Sequence, residues 1–194
     1  MRTLTLNSLA LVTAVKKPDT DTQVKLHTSA LAVFTDFARH SPVLIDESAS
    51  AVLVEELMQK AHVKLMLVVD LHEAFAGIIS LADVGSDQII REVASGKARN
   101  EVLVEDLMQP KSQLVALSLE DIRNATVAEV LNTLRDDSAQ HVLVVDDATQ
   151  NVCGLISASD LARKLHIPVS TGSVAVFSGL FHTLHKPQDI RRSA

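Results

Sequence analysis

Tryptophan and tyrosine are absent from these 194 residues, and phenylalanine occurs only five times. The bases of single-stranded nucleic acid stack on such rings, so that mode of binding has no platform here. Positive charge is also scarce: 18 Lys and Arg stand against 24 Asp and Glu, a formal net charge of −6, and the cations are scattered. A phosphate backbone is neutralised by clustered Lys and Arg, so no nucleic-acid partner is expected. With a single cysteine there is no disulfide framework, and Cys153 reads as a buried thiol in a reducing compartment. No apolar run reaches the roughly 20 residues that a membrane-crossing helix needs. The leucines after Arg2 (Leu4, Leu6, Leu9, Leu11) are broken by Thr and Asn and followed by Lys16 and Lys17, a poor secretory signal. The expectation is a cytoplasmic protein with no membrane partner.

What the chain does have is a repeat. Gly77-Ile78-Ile79-Ser80-Leu81-Ala82-Asp83-Val84 returns as Gly154-Leu155-Ile156-Ser157-Ala158-Ser159-Asp160-Leu161. Each copy follows an apolar run ending in Val-Val-Asp (Val68-Val69-Asp70, Val144-Val145-Asp146) and a short polar turn. Branched apolar runs on both sides of a turn predict two hairpins, 64–70 with 75–80 and 141–146 with 152–157. From each Ser onward the pattern predicts a helix, 81 to about 95 closing at Gly96, and 161 to about 166 stopped by Pro168. Ser then sits near the N-cap and Asp in the first turn. A helix start leaves backbone N–H groups unpartnered and partly positive, which suits phosphate. An Asp three residues on offers two acceptor oxygens that suit the paired hydroxyls of a ribose. Plain capping uses the same residue types, and their recurrence in one context favours a ligand role.

The remaining segments complete two similar units. In the first, Val43-Leu44-Ile45 leads to a helix with Ser50 as N-cap and Ala51, Val54, Met58 and Ala61 on one apolar face. In the second, 114–117 is a short strand, and Thr126 with Glu129 forms a capping box ahead of Val127, Val130, Leu131 and Leu134. Each unit reads strand, helix, strand, strand, helix, an α/β arrangement. A unit of about 65 residues has little core of its own, so the two should pack together. The expected division is an arm over 1–29, repeats over 30–97 and 98–168, and a helix with tail over 169–194. The arm either adds an edge strand or stays loose. Phe177, Leu180, Phe181 and Leu184 make the last helix amphipathic, for packing on the body, across a dimer, or against another protein.

With Val-Val-Asp, turn and Gly-x-x-Ser-x-x-Asp seen twice, residues from about 30 to 168 resemble a tandem pair of cystathionine beta-synthase (CBS) domains, the Bateman module. Leu103 to Pro110 is similar to the short lead-in segment of such domains, and Ala32 to Phe37 is its weaker counterpart. The resemblance implies two pseudo-symmetric β-α-β-β-α repeats packed through their sheets, dimerisation, and an adenosine-containing ligand (AMP, ADP, ATP or a relative) in the clefts between them. It puts Asp83 and Asp160 on ribose hydroxyls and Ser80 and Ser157 near phosphates. Val43, Leu44, Val115 and Ala116 would flank the adenine, and Lys64 and His141 stand where nucleotide-binding members carry Arg or His. Two departures matter. Leu67 and Leu143 replace a frequent Pro, and Ser86 stands where the second repeat has Arg163, so if only one site takes a phosphate it is expected to be the second.

Three functions follow as expectations: a regulatory ligand-binding module that signals to a regulated protein, a ligand-free dimerisation scaffold, and, remotely, a metal-dependent enzyme. The enzyme reading rests on His182-x-x-His185 with His166 and Asp189, yet metal sites need three or four ligands and a second shell. Ser80 and Ser157 lack a base at readable spacing. No catalytic residue, metal site or required cofactor is expected.

Overall fold

The computed structural model describes residues 24–168 and 175–185. In the first repeat, β2 (Leu44–Asp46) leads to α1 (Ala51–Ala61), which buries Ala51, Val54 and Met58 on one face and leaves Ala61, expected on that face, exposed in the last turn. Ser50 holds the N-cap position, although its side chain makes no capping bond. The helix stops where His62 turns left-handed (φ 55°, ψ 33°) and folds its N–H back onto the last carbonyls. The hairpin of β3 (Leu65–Val69) and β4 (Phe75–Ser80) follows, with β2 parallel to β3. Its turn is closed by Asp70, whose carboxylate accepts the N–H of His72 at 2.8 Å and of Ala74 at 2.9 Å. Those bonds, Ala74's first, hold the Asp70 carboxyl below the usual carboxylate range. The Asp of Val-Val-Asp is thus a turn residue.

After Ser80 the structure departs from the expected helix. The Asp83 carboxylate accepts the N–H of Ser80 at 2.8 Å and its Oγ–H at 2.6 Å, closing a tight turn. The helix α2 begins only at Ser86 and runs to Ala94, with Gly96 beyond it at φ 112°. In the second repeat, by contrast, Ser157 is the N-cap of α6 (Ala158–Lys164) and accepts the Asp160 N–H at 3.4 Å. That helix starts three residues before the predicted 161.

The second repeat contains β6 (Ala116–Ser118), α4 (Leu119–Asn124), α5 (Val127–Thr133), β7 (His141–Asp146) and β8 (Asn151–Ser157). Thr126 and Glu129 form the expected capping box: Thr126 N–H and Oγ–H each donate to Glu129 at 2.7 Å. The short α4 was not anticipated; Ser118 caps it by accepting from Glu120 and Asp121.

The lead-in segments do not join the sheets that follow them. β1 (Phe34–Asp36) pairs antiparallel with β8, while β5 (Gln109–Pro110), just after the short α3 (Val104–Leu107), pairs with β4. The sheets therefore run β1-β8-β7-β6 and β2-β3-β4-β5, each taking one strand from the other repeat's lead-in. The repeated glycines permit this. A Cβ on Gly77 would collide with the Gln109 carbonyl oxygen, and one on Gly154 with the Phe34 ring and the Thr35 carbonyl oxygen.

Each sheet buries one face under its own helices, and the two sheets meet through Leu67, Ile78 and Leu143, joined by Phe37, Leu65, Phe75 and Leu155. The repeats pack through their sheets, as expected of the fold. The last helix, α7 (Phe177–Leu184), buries Phe177 and Leu180 in the second repeat's core. It packs on the body, against α5 and α6. Residues 1–23, with most of the expected arm, and 186–194, with the expected tail, lie outside the described residues.

Candidate functional site

Five of the residues singled out in sequence converge on one cleft. Lys64 from the first repeat and His141, Ser157, Asp160 and Arg163 from the second line a space of about 510 Å³, together with Thr35, His62, Val63, Leu65, Leu155 and Ser159. Its position follows from the fold. The left-handed turn at His62 ends α1 and directs 62–64 across the mouth of the second repeat's motif. β1, held against β8 by Gly154, brings Thr35 to the wall.

Ser157 is buried, and its hydroxyl lies 2.9 Å from the Ser159 hydroxyl. Asp160 and Arg163 are paired at 2.6 Å one helical turn apart, both facing the cleft with Arg163 largely in solvent. An exposed pair of this kind is weak and exchangeable. Lys64 and Arg163 outnumber the single carboxylate, so the cleft favours an anion. His141 is half-buried. Burial pushes its imidazole below the ordinary value, against the pull of the Asp160 carboxylate and with the push of Lys64.

The first repeat's motif lines a separate, smaller space of about 110 Å³ with Leu65, Ile78, Gln109, Ala139, Gln140 and His141. No Lys or Arg lines it, and both oxygen-bearing groups of the motif, Ser80 and Asp83, are turned onto each other. Small-molecule sites typically occupy about 300–1,000 Å³, so the second cleft is of the right size and the first is below it.

The four expected adenine neighbours lie elsewhere. Val43 and Leu44 sit at the outer strand of one sheet and Val115 and Ala116 at the outer strand of the other; all four are exposed, and none lines either cleft. The exchanged strands instead supply Thr35 to the second cleft and Gln109 to the first, in register with Leu155 and Ile78 two residues before each motif Ser. Sequence reasoning passed them over because strands of two or three residues carry no period from which to read a partner. Cys153 is half-buried rather than buried, and its thiol donates to the Val144 carbonyl at 3.4 Å. Burial, then the Asp146 charge, raise it above the ordinary thiol range, which opposes nucleophilic use. Of the histidine set, His185 stacks on Phe181 with centroids 4.0 Å apart. Among the described residues no three His, Cys, Asp or Glu gather as metal ligands, and Asp189 lies outside them.

A family profile described as "CBS domain" matches residues 104–167. No curated protein sequence matches the chain. Solved structures do. An uncharacterised conserved protein of Pyrococcus horikoshii is 18% identical, with 76% of this chain and 98% of that one covered at a TM-score of 0.55. A conserved CBS domain protein of Thermoplasma acidophilum is 18% identical over 77% of this chain and 76% of its own, at 0.52. CBSX2, a CBS-pair protein of Arabidopsis thaliana, was solved in complex with AMP and is 19% identical over 71% of this chain and 94% of its own, at 0.50. The profile covers the second repeat, and the fold supplies its partner in the first. Residues 104–167 are a CBS domain, and the chain has the fold of a tandem CBS-domain pair.

Proposed function

We propose that the chain is a regulatory module that binds a phosphorylated adenosine in its second cleft and reports occupancy to a partner protein. One observation carries this reading: Lys64 of one repeat and Ser157, Asp160 and Arg163 of the other line a single cleft of about 510 Å³. A ligand there touches both repeats, and it favours whichever arrangement of the two best fits it. The Asp160 carboxylate accepts ribose hydroxyls. Arg163, released from its exchangeable pair, turns with Lys64 and His62 to the phosphate, and Ser157 and Ser159 offer hydroxyl donors. The AMP bound by CBSX2, which shares the fold, supports the ligand class. No step of catalysis is assigned.

A dimer is part of the same proposal. Leu53 and Leu57 of α1 and Ile90 and Val93 of α2 are exposed on the first repeat, apolar surface that a second copy would cover. Sedimentation at micromolar concentration tests it, and a clean monomer removes it.

Thermal stability with AMP, ADP, ATP and guanine nucleotides tests the ligand. A ligand selective for the folded state adds about 2.7 kcal/mol at a hundred times its Kd. Adenosine compounds alone should raise the Tm; equal or absent shifts favour a scaffold without ligand. Because the chain has no Trp or Tyr, adenine carried through purification would stand out near ~260 nm against its weak protein absorbance.

A further inference from the structure

The two clefts share a wall. His141 and Leu65 line both. Each opens its strand opposite a motif serine, His141 paired with Ser157 and Leu65 with Ser80. Leu65 contributes only bulk, so His141 is the polar group common to the two sites. The charged groups around its imidazole come from both: Asp160 on α6, Lys64 ahead of β3, and Asp83 in the turn after β4. Leu65 occupies the matching place in the other repeat, opposite Ser80, so only one of the two equivalent positions is polar; Lys64, one residue earlier, lines only the second cleft. The sharing is therefore one-sided, and the volumes are unequal, about 510 Å³ against about 110 Å³.

We infer that His141 is a partition residue that makes the two clefts bind anti-cooperatively: a phosphorylated ligand in the second cleft takes the imidazole and leaves the first cleft without its donor. A neutral imidazole has one N–H, and a donor committed to one side is absent from the other. A ligand entering the smaller first cleft must also push the ring toward the second, against any occupant there. Two anions flanking one residue repel as well. The coupling is reciprocal, as any linkage between binding sites must be. It rests on the reading that adenosine phosphate occupies the second cleft.

Titrating the full chain with AMP while following backbone amide resonances separates the sites, Ser80 and Asp83 reporting the first cleft, Ser157 and Ala158 the second. In the parent the second cleft fills first. Disabling it with Asp160→Ala plus Arg163→Ala should tighten AMP at the first cleft at least fivefold, or make binding there measurable. In a His141→Asn background, which keeps a small polar side chain, the same pair of changes should alter first-cleft affinity less than twofold; His141→Gln is the second variant if Asn fails to fold. First-cleft affinity unmoved by disabling the second, or a fivefold gain that persists without His141, overturns the coupling and leaves the nucleotide reading standing. Resonances that move at neither cleft in the parent overturn the nucleotide reading, and the coupling with it.

Discussion

Thr35 lies against Gly154, its carbonyl oxygen filling the space where a side chain on Gly154 would begin, so that β1 is locked to a sheet built from residues far along the chain. The glycine that opens each repeated motif is therefore a contact surface for the exchanged strand. Its lack of a side chain matters more than its backbone freedom, since neither Gly77 nor Gly154 has positive φ.

Gly154→Ala should consequently destabilise the fold by about 1–3 kcal/mol, the usual range for overpacking. Because Thr35 walls the second cleft, ligand affinity should fall as well. Urea denaturation of parent and variant measures the first effect. A variant as stable as the parent would show that β1 yields freely and that the strand exchange holds little.

Much of the fold was legible in the sequence, and the failures have physical causes. Both hairpins, the Thr126–Glu129 box and the apolar faces of α1 and α5 follow from periodicity and capping, local signals that the structure keeps. The helix expected after Ser80 failed because Ser-x-x-Asp has two local solutions. In both repeats the Ser hydroxyl accepts from the Asp N–H at 3.4 Å, and the carboxylates differ: Asp160 accepts from Arg163, whereas Asp83 turns back to accept from Ser80. Gly85 and the late start of α2 accompany the second solution. Ser118 followed by Glu120 and Asp121 was a readable start signal for α4, overlooked beside the stronger one at Thr126. The exchanged strands were illegible, since pairing partners are not encoded within three residues, and for that reason Thr35 and Gln109, which line the clefts, were not singled out.

Phe177 and Phe181 separate two roles for α7. Phe177 is fully buried in the second repeat's core, whereas Phe181 is only half-buried. Phe177→Ala should cost about 3–5 kcal/mol, as for other buried Phe truncations. Phe181→Ala should cost clearly less. Equal effects in thermal unfolding would mean that α7 is peripheral.

His141 gives stability a pH dependence whose sign is fixed. Burial holds its folded-state value below the ordinary one near about 6.5, so on acidification the unfolded chain takes up a proton before the folded chain does. Stability is therefore fully kept above about pH 6.5 and lost as pH falls from there through the folded-state value. His141→Asn should flatten the curve in that window relative to the parent. A parent and variant with parallel curves would contradict the burial of the ring.

The central claim is that Asp160, in a cleft shared by both repeats, holds the ribose of an adenosine phosphate. Calorimetric titration of AMP into the parent, Asp160→Ala and Asp83→Ala tests it most directly. Hydrogen bonds to a charged acceptor contribute about 1.5–3 kcal/mol each, so losing the carboxylate weakens binding by about ten-fold or more. The account predicts clear binding heat in the parent, at least that loss in Asp160→Ala, and a tight phase left intact in Asp83→Ala. No heat in the parent, or Asp160→Ala binding as the parent does, would contradict it.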